Sequence, residues 1–301
     1  MHKALYAVIV FLSFLPIGIL YFFSTISYLL LYYVFRYRKD VVSYNIEIAF
    51  PELDMQQRER IVQKFYIDFC DHFFEMIKLL SMSEKQLHSM FEADYSAIEK
   101  LNNAGKSCYI LLGHQFNWEL INAHMTSINK TRTIIAYLPV PNKFFDGLLI
   151  KIRTRFGAIL TASDKLMRAL YPYRNETYNL ALMADQNPAV PSRAYWLPFF
   201  GKDVPFYKGP EKGARAGNNA VVFVDLEKTK RGKYLVHSYL LSADPKALNE
   251  SDITLMYSNK LQESIKRSPS TYLWSHRRWR HRQEDFIAPQ ETSAEATSQA
   301  F

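Results

Sequence analysis

The segment Gly113-His114-Gln115-Phe116-Asn117-Trp118-Glu119 places an imidazole and a carboxylate five positions apart. A neutral imidazole, whose ordinary pKa is about 6.5, is well matched to removing a hydroxyl proton near neutral pH, for instance as the oxygen attacks a thioester carbonyl. A carboxylate on the other ring nitrogen fixes the tautomer and stabilises the imidazolium that forms. Glu119, in the first turn of a helix, could fold back onto His114 in the preceding loop and fill that role, with no serine or cysteine nucleophile needed. The chain has eight histidines and 29 acidic residues in 301 positions, and this is its only pair with that spacing. Chance supplies about one such pair, so spacing alone leaves a helix-capping or core histidine as good a reading. The surroundings must decide.

Those surroundings alternate between strand and helix. Ser107–Leu112 is a short apolar run closed by Gly113, the pattern of a buried strand, and Asn117–Ile128 is helical. Strand-like runs follow at Arg132–Leu138, Ala158–Leu160, Tyr178–Met183, Ala220–Glu227 and Lys233–Leu241, with Gly232 at the turn between the last two. Helical patterns occupy Asn142–Phe156, Asp164–Tyr173 and Ser251–Lys266. An earlier one spans Asp54–Leu80, where Ile61, Phe65, Phe69, Phe73, Met76 and Leu80 recur at three- and four-residue spacing. This rhythm predicts an α/β fold with a mostly parallel core sheet flanked by helices. Ligands of such sheets bind beyond the carboxyl ends of the strands, where His114 falls.

No charged residue occurs from Ala4 to Phe35. That exceeds the roughly 20 apolar residues a spanning helix needs. Pro16 and Gly18 interrupt the run, which predicts a kinked span, or an interfacial piece followed by a span. A cleaved signal peptide fits less well, because the run is too long for its apolar region and no small-x-small site follows. Lys3 precedes the run, whereas Arg36, Arg38 and Lys39 follow it, which puts the rest of the chain on the cytoplasmic side. Residues 1–40 thus read as an N-terminal membrane helix, 41–282 as one domain opened by a connecting segment at Val41–Pro51, and 283–301 as a polar, disordered tail.

A net charge of +8 calls for an anionic partner: nucleic acid, a phospholipid surface or a phosphorylated substrate. Cys70 and Cys108 form no CxxC or His/Cys cluster, so neither a disulfide framework nor a metal site is supported. Arg153 and Arg155, near a helix end, could grip a phosphate or merely complement the helix dipole. Asp185 and Gln186 follow a strand and share a sheet edge with His114 if the sheet is parallel; they would position an acceptor, order the site, or form only a polar turn. Arg193, in a loop stiffened by Pro188 and Pro191, could meet a headgroup. The densest basic run is His276–Arg282, and behind a membrane anchor its better partner is anionic lipid, substrate phosphate or an acidic carrier protein rather than nucleic acid. His72, His88, His124 and His237 have no evident partners and read as structural.

Four blocks together resemble the late lipid A acyltransferases (lauroyl/myristoyl type) of the lysophospholipid acyltransferase-like superfamily, over roughly Leu12 to Arg280. They are His114–Glu119 as the H-x4-E motif; Ala184-Asp185-Gln186-Asn187-Pro188; Tyr272-Leu273-Trp274-Ser275-His276-Arg277-Arg278-Trp279; and Asn45 through Pro51, with Ile46 where leucine is usual. The resemblance implies a single acyltransferase domain with His114 and Glu119 catalytic. Asn117, Arg153, Arg155, Asp185, Gln186, Arg193 and Arg278 would contribute to substrate binding. It further implies transfer of a fatty acyl chain from acyl carrier protein, or from acyl-CoA, to a hydroxyl of a lipid A precursor at the inner membrane. No cofactor beyond that co-substrate and no nucleic acid are implied. Two alternatives stay open: the same chemistry on an aminolipid, phosphatidylinositol mannoside or lysophospholipid, and a tethered anionic-lipid binder without activity.

Overall fold

The computed structural model describes residues 2–286. Its first two helices, α1 (His2–Phe14) and α2 (Ile17–Leu29), meet at a break on Pro16, and α2 runs on through a π-helical turn at Leu30–Val34. Proline lacks the amide proton that α1 would need to continue, but it suits the start of a new helix. Ile17–Val34 is the one stretch among the described residues long and apolar enough to cross a membrane, with mean hydropathy 1.7. One side of the pair leaves Phe11, Phe14, Ile19, Phe22, Phe23 and Ile26 exposed.

The segment read as a connector is a helix, α3 (Lys39–Ala49). Val41, Val42, Asn45, Ile46 and Ala49 form its buried face at helical spacing, a pattern that the β-branched residues disguise. Its Asn45 amide donates to the Trp274 and His276 carbonyls at 2.6 and 2.7 Å. The Asn45 block is thus a clasp on the C-terminal segment.

Helix α4 (Met55–Lys78) starts on a reciprocal capping box between Asp54 and Gln57. Phe65 and Phe69 are buried, as their spacing requires, but Phe73 is exposed. The second half instead turns Asp68, Asp71, His72, Glu75 and Lys78 inward. These polar groups are buried because each finds a partner. Lys228 bridges Asp68 at 2.8 Å and Asp71 at 3.1 Å, and Arg231 reaches Asp71 at 2.6 Å. Lys78 caps the end of α1 by donating to the Ser13 and Leu15 carbonyls. The inner side of α2 joins the same cluster, through Ser24 to Asp71 at 2.6 Å and Tyr21 to Glu75 at 2.7 Å.

The chain continues through α5 (Glu84–His88), β1 (Phe91–Asp94), α6 (Ser96–Asn103), β2 (Cys108–Leu112), α7 (Trp118–Ile128), β3 (Arg132–Tyr137), α8 (Lys143–Thr154), β4 (Ile159–Ala162), α9 (Leu166–Leu170) and β5 (Tyr178–Met183). A hairpin of β6 (Tyr195–Phe199) and β7 (Lys202–Phe206) follows, then α10 (Gly209–Gly217), β8 (Ala220–Lys230), β9 (Lys233–Ser242) and α11 (Asp252–Arg267). Seven strands make one sheet in the order β1-β9-β8-β2-β5-β3-β4, and only the β8–β9 pairing is antiparallel. Gly232 turns that hairpin at φ +72°. The mostly parallel sheet is therefore present, with helices packed against it. Its central strand β2 is buried along its whole length, as apolar strands covered on both faces are. From the polar tail, Gln283–Phe286 forms a short 3₁₀ turn, and the rest lies outside the described residues.

Candidate active site

In the parallel register of β2 and β5, Leu112 pairs with Met183. Two residues beyond each strand end stand His114 and Asp185. The Asp185 carboxylate accepts from both the His114 backbone amide, at 3.0 Å, and ring Nδ1, at 2.6 Å. Burial alone would raise the Asp185 carboxyl, but the facing His114 ring and amide hold it below the ordinary carboxylate range. A proton held on Nδ1 by Asp185 would leave Nε2 as the acceptor, on a ring that lines a cavity of about 890 Å³.

Several elements fix the loop that carries His114. A Cβ on Gly113 would stand 2.4 Å from Leu261 Cδ1, so the loop passes α11 this closely without displacing that side chain only with glycine at 113. Phe116 N donates to the Thr271 carbonyl at 2.7 Å, and Leu273 N donates to the His114 carbonyl at 3.0 Å. The Tyr272 block thus works as a backbone splint. Asn117 caps α7 by accepting from Leu120 N.

Glu119 does not hold His114, as the spacing had suggested. It lies in the first turn of α7, where Arg153 of α8 binds both its oxygens, through Nε at 3.1 and 3.0 Å and Nη2 at 2.6 Å. The Trp118 indole N–H adds a fourth bond at 3.1 Å. The planar guanidinium fork matches a carboxylate better than an imidazole can, which explains the preference. Burial would lower the Arg153 pKa, yet the charge and hydrogen bonds of Glu119 raise it above its ordinary value.

The remaining sequence-derived candidates fall in different places. Gln186 and Arg153 line the cavity beside His114. Asn117 points the other way, its Oδ1 on His72 Nδ1 at 2.8 Å and its Nδ2 on Glu75 at 3.0 Å. Arg155 caps the end of α4, donating to the Leu79 and Met82 carbonyls at 2.6 and 2.5 Å, and grips no open anion position. Arg193 is exposed on a 3₁₀ turn outside the cavity lining. Arg278 is buried beneath the Asp185 loop, bonded to Asn187 Oδ1 and the Pro205 carbonyl and stacked on Phe206.

Other residues come to light only in the fold. Asn122, one turn after Glu119, lines the cavity with its buried Oδ1 unpartnered. Lys165 and Arg168 bring positive charge to the same cavity. The histidines read as partnerless have partners: His72 has Asn117, His88 has Ser127 and His124 has Tyr95. An i, i+3 relation between Glu119 and Asn122 was the one signal in the sequence that could have flagged Asn122.

These features define an α/β protein in which a carboxylate-oriented imidazole opens onto a cavity walled by such residues as Leu112, Ile135, Leu166 and Leu182. Its chain matches the model of the bacterial lipid A biosynthesis acyltransferase family over residues 3–281, and it belongs to that family. The reaction type is therefore acyl transfer, with an acyl donor and a lipid as the interacting molecules. No curated protein matches the chain significantly.

Proposed function

We propose that this protein moves a fatty acyl chain from an acyl thioester, carried by acyl carrier protein or by coenzyme A, to a hydroxyl of a lipid A precursor, as the lauroyl and myristoyl transferases do. The observation that carries the mechanism is the 2.6 Å contact of Asp185 with His114 Nδ1 beside the cavity. His114 Nε2 takes the acceptor's hydroxyl proton as the oxygen bonds to the thioester carbonyl carbon. The resulting tetrahedral adduct collapses, breaks the carbon–sulfur bond, and the leaving thiolate recovers the proton from His114. Asp185 holds the tautomer and balances the transient imidazolium. Glu119, tied to Arg153, shapes the cavity wall next to the base. The carbonyl is attacked directly, so no acyl-enzyme forms.

The N-terminal helices supply the membrane seat, with the catalytic body on the cytoplasmic face of the inner membrane. The inner side of α2 bonds to buried acids of α4, so the pair lies in one leaflet with Phe11, Phe22 and Ile26 toward lipid. Purified full-length protein, given labelled acyl carrier protein thioester and a lipid A precursor, tests the reading. Label enters the lipid with wild type and fails to enter with His114→Ala. Equal incorporation by both proteins would sink the mechanism, and transfer only to a lysophospholipid would replace the acceptor.

A further inference from the structure

Glu75 is fully buried in the last turn of α4, and its carboxylate collects donors from three other parts of the chain. The Tyr21 hydroxyl of α2 donates to Oε1 at 2.7 Å. The Asn117 amide donates to Oε2 at 3.0 Å, and the Tyr234 hydroxyl of β9 donates to the same oxygen. Asn117 belongs to the loop between His114 and α7. Its Oδ1 accepts from His72, one turn before Glu75 on α4. The His72 ring stacks on Phe116 at 5.2 Å and lies against Trp118 at 4.1 Å, while Trp118 meets the His114 ring edge-on at 5.2 Å. Three of the four residues between His114 and Glu119 are therefore held from α4, through two neighbouring side chains.

The opposite side of this junction is the apolar helix. Tyr21 and Ser24 bind Glu75 and Asp71 from the inner side of α2, whose outer side exposes Ile19, Phe22, Phe23 and Ile26. Burying a carboxylate is costly, and here the cost is offset only because three donors from other elements satisfy it. Linking two elements that must move together is a reason to retain one.

We propose that Glu75 is a positioning residue that ties the His114 loop to α2, so that seating α2 in a lipid surface orders the loop for turnover. This rests on reading the outer side of α2 as lipid-facing. Removing the Tyr21 hydroxyl cuts the link at its α2 end while leaving every contact of the loop in place. Replacing Glu75 with Gln turns one acceptor oxygen into a donor facing other donors.

The test uses the full chain in detergent and in vesicles of phosphatidylethanolamine with phosphatidylglycerol, with two readouts. The first is kcat and KM for the acyl donor. Wild type is faster in vesicles, whereas Tyr21→Phe loses most of that gain, about tenfold in kcat with KM unchanged, which corresponds to about 1.4 kcal/mol in the barrier. The second is amide hydrogen exchange over residues 114–120, which slows on adding vesicles to wild type and does not slow in Tyr21→Phe. A purely structural contact would lower the unfolding midpoint and leave kcat of the folded fraction unchanged; that result overturns the proposal. Glu75→Gln, if it folds, matches Tyr21→Phe in both readouts. Vesicle-dependent protection without acyl transfer would retain the link and sink the enzymatic reading, whereas transfer with no vesicle effect on residues 114–120 would sink the link alone.

Discussion

Asp185 stands directly across from His114 in the β2–β5 register and binds both its backbone amide and its ring Nδ1. One carboxylate thereby sets the position of the loop and the tautomer of the His114 ring. Asp185→Asn preserves the shape but presents an amide where an acceptor is needed, favouring the wrong tautomer. The expected loss in kcat is about 10³ to 10⁴-fold with KM nearly unchanged, by analogy with other carboxylate-oriented imidazole bases. Steady-state kinetics of Asp185→Asn beside Glu119→Gln separates the two acids. A larger loss in kcat for Glu119→Gln would return the orienting role to Glu119.

The Glu119–Arg153 pair is nearly dry, with side-chain exposures of 2% and 17%. Removing either partner leaves the other charge buried without its fork, a cost of about 3–5 kcal/mol. Glu119→Ala and Arg153→Ala should each lower the urea midpoint substantially, and the double variant should lose far less than their sum. Strict additivity in that double-mutant cycle would show that the two groups act independently.

Much of this was legible in the sequence. Apolar runs at Ser107–Leu112 and Tyr178–Met183 located the two strands that carry the site, and Gly113 and Ala184-Asp185 marked their ends. The adjacency of β2 and β5 was not legible, because a parallel neighbour is chosen by long-range packing and leaves no local signal. Without it, Glu119, close in sequence, looked a better partner for His114 than Asp185, which is 71 residues away. The stripe on α4 does pack on the core at Ile61, Phe65, Phe69, Met76 and Leu80, but it is only part of the helix's buried surface. Its phenylalanine spacing pointed to an apolar face, and charges on β8 and the following turn let Asp68, Asp71 and Glu75 turn inward beside it. Burial there depended on partners more than 150 residues distant.

Asn122 presents a buried amide oxygen with no partner and lines the cavity beside His114, where the proposed reaction would seat a polar acceptor. An unsatisfied buried acceptor costs about 1–3 kcal/mol, and a ligand hydroxyl would recover it. Asn122→Leu should therefore leave the unfolding midpoint unchanged or raised while weakening the acceptor by about tenfold in KM. Measuring KM separately for donor and acceptor checks this. An effect confined to the donor would move Asn122 to the acyl side of the site.

Burial pushes the His72 imidazole down to about 4, so it stays neutral in the fold at neutral pH. In the unfolded chain the same ring titrates near 6.5. Between those values the unfolded state binds a proton that the native state does not, so stability contributed by neutral His72 is lost as pH falls from about 6.5 to 4. The ceiling is about 3 kcal/mol, from 1.36 kcal/mol per pKa unit. His72→Phe keeps a ring against Phe116 and Trp118 but cannot titrate. Chemical denaturation at several pH values should show the advantage of wild type over His72→Phe shrinking toward pH 4. An advantage constant with pH would mean that His72 titrates alike in both states.

Gly113 offers the sharpest test of how the His114 loop is seated. A methyl there would meet Leu261 Cδ1 at 2.4 Å, and Leu261 is itself completely buried. Leu261 must shift within the core to admit the methyl, and the loop is held on its other side by Asp185 and the Leu273 amide. Gly113→Ala should therefore cost about 1–3 kcal/mol through overpacking and displace His114 from Asp185, lowering kcat. Trimming the obstacle should reverse part of this. Leu261→Ala alone opens a cavity and loses about 2–5 kcal/mol, but the added methyl occupies some of that space in the Gly113→Ala/Leu261→Ala pair. The pair should be more stable than the two single losses combined and should recover activity relative to Gly113→Ala. Failure of Leu261→Ala to rescue either property would mean that contact with α11 is not what limits residue size at position 113.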